Sequence, residues 1–224
     1  MHAEAFRMEV ERMQLAPSTI NRRGFLAALS ASVAIPVAGS GEEGFEPLFN
    51  GQNLTGWDGD PFLWKAEGGM LVGRSPGIAY NDFLTTTKEY ANFILRFQIQ
   101  LLDNAGNSGV QFRSRRAPGS MEMIGYQADV GPGWWGGLYD ESRRNVMLAA
   151  PSAPTIKKAL KPSGWNDYEV QAIGKRIVLK LNRTVTVDYE EEDETIEQAG
   201  IIGLQVHSGP PLEVRFRDIR IKQM

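Results

Sequence analysis

The stretch that most limits what this chain can fold into is Phe93–Leu101. Phe93, Leu95, Phe97, Ile99 and Leu101 share one parity, and Arg96, Gln98 and Gln100 share the other. Successive side chains of an extended chain point to opposite faces, so this is a strand with one core face and one wet face. Shorter segments of the same kind flank it, separated by turn signals such as Gly68–Gly69, Asn182–Arg183 and Gly209–Pro210–Pro211. Beyond residue 40 no segment has a convincing helical period and no repeat is visible. About a dozen short strands with frequent turns predict an all-β fold, a jelly-roll β-sandwich of two antiparallel sheets. Its core lies between the sheets, and one concave sheet face is left wet.

Composition removes several function classes. The 224 residues suit one domain plus a processed segment, and a net charge of −3 points to neither nucleic acid nor an anionic membrane. There is no cysteine, which excludes disulfides, thiol nucleophiles, Cys-ligated zinc and lipid anchoring through cysteine. Two histidines, one at position 2, exclude a multi-histidine metal site. Residues 1–40 read as a leader. The pair Arg22–Arg23 abuts an apolar run from Phe25 to Ala38 that is short for a membrane span, contains Pro36 and ends in small residues. This resembles a twin-arginine export signal, with Met13 an alternative start, and implies a periplasmic or extracellular protein without stable membrane insertion after processing. The alternative is an amphipathic helix packed on the domain, which occupies 41–224.

The chemistry concentrates between Asn107 and Asp140. Val110 and Phe112 alternate with Gln111 and Arg113, and Tyr126, Ala128 and Val130 alternate with Gln127 and Asp129. Alternation puts Gln111 with Arg113, and Gln127 with Asp129, on polar strand faces. Trp134 and Trp135 follow in a Gly-rich loop, then Tyr139 and Asp140. Polar strand faces beside aromatic rings suit a sugar, although an ordinary antiparallel sheet also has a wet face. His207, the one histidine of the domain, shares a strand face with Gly203 and Gln205, and its ordinary pKa of about 6.5 suits a base. Arg215 lies on the polar side of the last strand. Ala150–Gly164 reads as a surface loop and Glu190–Glu194 as a solvated acidic run.

Eight stretches in order then carry a family resemblance: FNG with LTGW from Phe49, WKAEGGMLV from Trp64, NSGVQFR from Asn107 and GYQAD from Gly125. They continue with GLYD from Gly137, WNDYEV from Trp165, GLQVH from Gly203 and VRFRDIRIK from Val214. Together they resemble the 3-keto-disaccharide hydrolase domain family. The resemblance implies a concanavalin-like sandwich and action on 3-keto-glycosides, with carbohydrate as the partner. A ketone at C3 acidifies the C2 hydrogen, so a base can form an enolate that expels the C1 substituent. Candidate catalytic residues are His207 as base, Arg113 for the enolate and Asp129. Candidate sugar ligands are Gln111, Gln127, Trp134, Trp135, Tyr139, Asp140, Gln205 and Arg215. No cofactor is required, and a divalent metal held by His207 and Asp129 stays open. A non-catalytic carbohydrate-binding module on the same fold is the rival reading, since fold does not decide function. No carboxylate pair of ordinary glycosidase type lies on a core strand, and no G-x-S-x-G is present.

Overall fold

The computed structural model of the protein describes residues 43–224, and the leader expected over 1–40 lies outside them. The strands in chain order are β1 Glu46–Pro47, β2 Trp57–Asp58, β3 Trp64–Glu67, β4 Met70–Ser75, β5 Asp82–Thr86, β6 Phe93–Leu101, β7 Ser108–Arg116 and β8 Met123–Val130. They continue as β9 Leu138–Glu141, β10 Val146–Ala149, β11 Asn166–Ile173, β12 Arg176–Leu181, β13 Thr184–Glu190, β14 Ile201–Val206 and β15 Leu212–Gln223. Eight form one sheet in the order β13-β12-β11-β6-β15-β4-β3, with β1 added on β15. Seven form the other, β10-β9-β8-β7-β14-β5-β2. The Ala150–Gly164 stretch is not all loop. Ser152 caps a short helix, α1 Ala153–Ala159, by accepting from Thr155 N at 3.3 Å.

The core fills the space between the sheets. The five apolar residues of β6 are buried, as the alternation requires, together with Tyr168, Val170 and Ala172 of β11. Val110, Phe112, Tyr126, Ala128, Ile202 and Leu204 answer from the other sheet. Phe93 meets Phe112 edge-on at 6.4 Å, joining the two layers. In β15 a bulge at Asp218 (φ 51°) adds one residue after Phe216, which returns Ile219 and Ile221 to the inside.

A second bulge shapes the site. The β7–β8 register slips between Phe112 and Arg115, with Arg113 at φ 47° and Gly125 at φ 147° on the facing strand. Beyond it the hairpin end crosses the outer face of its own sheet. Arg116 Nη2 donates to Phe83 O at 3.0 Å and Thr85 Oγ1 at 3.2 Å on β5, two strands away. Glu122 Oε2 accepts from Asn81 Nδ2 at 3.2 Å. Residues 115–122 therefore form a flap over β14. The bend needs glycine at 125, because a Cβ there would sit on Ser114 Oγ and the φ disfavours L side chains. Gly125→Ala is expected to lower the melting temperature by roughly 3–10 °C. Thermal denaturation measures it, and an unchanged transition would mean that the bend tolerates a side chain.

Candidate functional site

Under the flap, the outer face of the seven-stranded sheet carries a closed polar array. Register puts Gly109 opposite Asp129, Gln111 opposite Gln127, Gln127 opposite Tyr139 and Gly203 opposite Gln111. The last pairing brings Gln205 level with Gly109. Ser114 Oγ donates to Gln111 Oε1 at 2.7 Å, Gln111 Nε2 to Gln127 Oε1 at 3.1 Å, and Gln127 Nε2 to Asp129 Oδ1 at 2.7 Å. The chain of amides thus ends on a carboxyl whose other oxygen, Oδ2, is buried without a partner. Both side-chain amide atoms of Gln205 are also buried and unpartnered. Buried polar groups normally find partners, so three unpartnered atoms on one face mark it as a candidate binding surface. The Gln127 side chain lies over Gly109 and occupies the place a side chain there would take. A Cβ there would lie 2.6 Å from Gln127 Cγ and Cδ.

The electrostatics favour proton transfer. Burial raises the Asp129 carboxyl to about 7, against the pull of the Gln127 hydrogen bond and with the help of nearby Glu141. Glu141 stands opposite Gly125 on β9 and is likewise raised to about 7, by burial and by the charges of Glu122 and Asp140. Two carboxyls near neutrality thus share this sheet face, with Glu122 of the flap beside one of them. Arg116 adds a cation whose Nη1 is buried and unpartnered. Met123, fully buried, extends its side chain over Gly203 and helps to keep the face dry.

Of the residues singled out from the sequence, Gln111, Gln127, Asp129 and Gln205 come together, with Tyr139 beside them. Trp134 meets Tyr139 edge-on at 6.0 Å and is 43% exposed. His207 follows the end of β14 on the same parity as Gln205. Its Nδ1 lies 2.6 Å from Ser208 O, and Ser208 N donates to the same Asn81 that binds Glu122. Among the described residues no three His, Cys, Asp or Glu side chains are grouped to hold a metal ion.

Four of the residues lie elsewhere. Arg113 does not share a face with Gln111, because the bulge turns it toward the other sheet. There it donates to Ala91 O, Gly174 O and Asn92 Oδ1 at 2.8, 2.7 and 3.1 Å. Asp140 has the opposite parity to Tyr139 and is fully buried against Arg143 and Arg144. Trp135 plugs the core, its Nε1 donating to Asn104 Oδ1 at 2.8 Å. Arg215 belongs to the eight-stranded sheet and pairs with Glu213. The acidic run is not wholly solvated either, since Glu191 is buried on Arg144. Glu141 and Arg116 were missed. Glu141 carried a signal, being two residues after Tyr139 and so on the same strand face. Arg116 carried none, because only the folded-over hairpin brings it to the site.

Two clefts hold none of Gln111, Gln127, Asp129 and Gln205, although Ser114 lines the first. One, of about 850 Å³, runs between Arg113–Arg115 and the segment Thr195–Gly200. The other, of about 510 Å³, lies on the eight-stranded sheet over the Arg96–Glu169–Lys180 ion pairs. The polar array is the better candidate, because its orphaned atoms lack partners whereas the ion pairs satisfy one another.

Comparison with known proteins gives one family match and several similar folds. The family profile of the 3-keto-alpha-glucoside-1,2-lyase-like domain matches residues 44–222. A candidate glycosyl hydrolase from Parabacteroides distasonis is 22% identical, covering 81% of this chain and 94% of its own, with a TM-score of 0.62. The carbohydrate-binding module CBM66 from Bacillus subtilis is 17% identical over 75% of this chain and 96% of its own, with a TM-score of 0.53. SCLam, a non-specific endo-beta-1,3(4)-glucanase, is 8% identical over 80% and 91%, with a TM-score of 0.54. These likenesses establish the concanavalin-like sandwich. No match was found among curated proteins.

Proposed function

This chain belongs to the 3-keto-alpha-glucoside-1,2-lyase-like domain family, and from that premise we propose that its flap-covered face cleaves the glycosidic bond of 3-keto-glycosides by proton abstraction next to the ketone. The coarser statement, that it is a carbohydrate-active protein, follows from the family. The observation that supports this reading is a buried carboxyl near neutrality, Asp129, on the same sheet face as the unpartnered amide of Gln205.

A sugar ring held on this face meets these groups in order. Asp129 takes the proton from C2, and the C–H electrons form the C2–C3 enolate. Gln205 Nε2 and Arg116 Nη1, both lacking partners, supply donors for the C3 oxygen as it becomes anionic. Collapse of the enolate then forms the C1–C2 double bond and breaks the C1–O bond. Glu141, protonated near neutral pH, gives its proton to the departing oxygen. Addition of water to the unsaturated product would convert elimination into net hydrolysis. His207 has Nδ1 engaged by Ser208 O, which directs its other nitrogen away from the main chain as a second base or a sugar ligand. Export through a twin-arginine leader would place this chemistry outside the cytoplasm.

The test is incubation of the protein with a 3-keto-disaccharide and its unoxidised parent, with products followed by mass spectrometry, with and without chelator. Cleavage confined to the keto form, with a first product lighter than the hydrolysed sugar by one water, is expected. A His207→Ala variant run in parallel should lose activity if its ring takes part in the reaction. Binding of both sugars with cleavage of neither would leave a carbohydrate-binding module as the better reading.

A further inference from the structure

The paired tryptophans take no part in the mechanism above, yet the groove behind them is largely apolar. It has a volume of about 380 Å³ and is walled by Pro132, Trp134, Trp135, Met147, Ala153 and Ile156. Asp129 N donates to Gly137 O at 3.0 Å, and Gly136 N to Asp129 O at 3.1 Å, so the Trp loop is bonded directly to the residue that acts as base. Gly137 has no side chain, and Met147 fills its place, with Sδ 2.9 Å from where a Cβ would stand. Met147 also pairs with Tyr139, and Tyr139 with Gln127. A continuous strip therefore leads from the polar array across Tyr139 and Met147 to Trp134.

We infer that this groove is the aglycone subsite and that it accepts a flat aromatic aglycone in preference to a second sugar. The inference rests on the cleavage reading above. A second sugar presents hydroxyls on every side, and each one left without a partner in an apolar groove costs binding energy. The groove offers few partners: Asn104 Oδ1 is already taken by Trp135 Nε1, and Lys157 stands among its lining residues. An aromatic ring needs none, and gains contact with the indole of Trp134, the Met147 sulfur and the Ile156 side chain. The volume is more than twice the roughly 150 Å³ of a cavity that holds benzene, which suits a phenolic aglycone of two or three rings. Trp134 is accordingly 43% exposed, an indole edge held by Tyr139 with one side left open.

The experiment measures kcat/KM of the full chain on methyl, disaccharide and aryl (4-nitrophenyl or naphthyl) 3-keto-glucosides. The aryl substrate is expected to exceed the other two by about tenfold or more. The aryl-to-methyl ratio should fall about tenfold in Trp134→Ala, which removes the wall, and in Ala153→Phe, which fills the groove from the helix. Equal values for the three substrates, or a ratio unmoved in both variants, overturns the subsite while leaving the cleavage reading intact. If no keto substrate is cleaved, calorimetric titration with the unoxidised naphthyl and methyl glucosides decides instead. Binding of the naphthyl compound alone, weakened in Ala153→Phe, supports the subsite although the cleavage reading fails, and equal or absent binding of the two overturns it.

Discussion

Replacing Asp129 by asparagine is expected to lower kcat on a 3-keto-glycoside by about two to four orders of magnitude and, at the same time, to make the protein more stable at alkaline pH. The two effects share one cause. Burial raises the Asp129 carboxyl from 3.8 to about 7, so the folded state holds its proton more tightly than the unfolded chain does. Stability from this group is complete below about pH 4 and is lost as pH rises toward about 7. Asparagine keeps a hydrogen-bonding side chain for Gln127 without the ionisation. The variant should therefore match wild type near pH 4 and melt roughly 3–10 °C higher at pH 8. Activity depends on both carboxyls. The base works when deprotonated and Glu141 works when protonated, so wild-type kcat/KM should rise toward about pH 7 and fall above it. Because Glu141 titrates near the same value, both limbs belong to the pair. Melting curves and initial rates across pH 4–9 measure both effects. A variant that keeps its rate, or that loses rate and stability together at pH 8, would remove Asp129 from the role of base.

The second large effect is expected at Arg144, which has no place in the chemistry. Its Nη1 and Nη2 hold Glu191 at 3.1 and 2.6 Å, and its Nε donates to Asp140. Tyr126 OH donates to Glu191 at 2.6 Å, and the Arg143 guanidinium lies 4.5 Å over the Tyr126 ring. Asp140 and Glu191 are both buried, so Arg144→Met strands two carboxylates with too few partners. Breaking a buried pair from one side costs about 3–5 kcal/mol, or about 10 °C in melting temperature for a domain of this size. The pH dependence should change as well. Burial opposes the charge of Glu191, but hydrogen bonds from Arg144 and Tyr126 prevail and hold its pKa at about 2, against 4.5 ordinarily. A depressed carboxyl contributes stability above pH 4.5 that is lost as pH falls toward about 2. Without Arg144 that acid limb should move upward. Thermal scans at pH 7 and pH 3 read both changes, and a transition at pH 7 within a degree or two of wild type would show that the network is dispensable.

Much of this molecule can be read from alternation. Phe93 to Leu101, Tyr126 to Val130 and Ile202 to Val206 divide into core and polar faces as their parity requires, because each of these segments runs in regular register with a neighbouring strand. The same parity put Gln127 with Asp129, and Gln205 with Gly203 and His207, on polar strand faces, and it would have added Glu141 to the face of Tyr139 if carried two residues further. It misplaced Arg113, and the reason is local. One residue in a left-handed conformation breaks the period of two, and every assignment beyond it changes face. Glu191 was misread for a different reason. An acidic residue in a turn-rich segment looks solvated until the partner that neutralises it is seen, and Arg144 lies 47 residues before Glu191.

The sequence by itself determined that the domain is an all-β sandwich, which polar residues crowd one sheet face, and to which family it belongs. These depend on side-chain period and on local motifs, which survive without knowledge of distant neighbours. Only the tertiary structure decided which polar groups are left without partners, that a hairpin covers them, and that burial brings two carboxylates to near-neutral pKa. Those properties arise from the removal of water by residues remote in the chain, such as Arg116 reaching Phe83 and Glu122 reaching Asn81, and no local pattern encodes them.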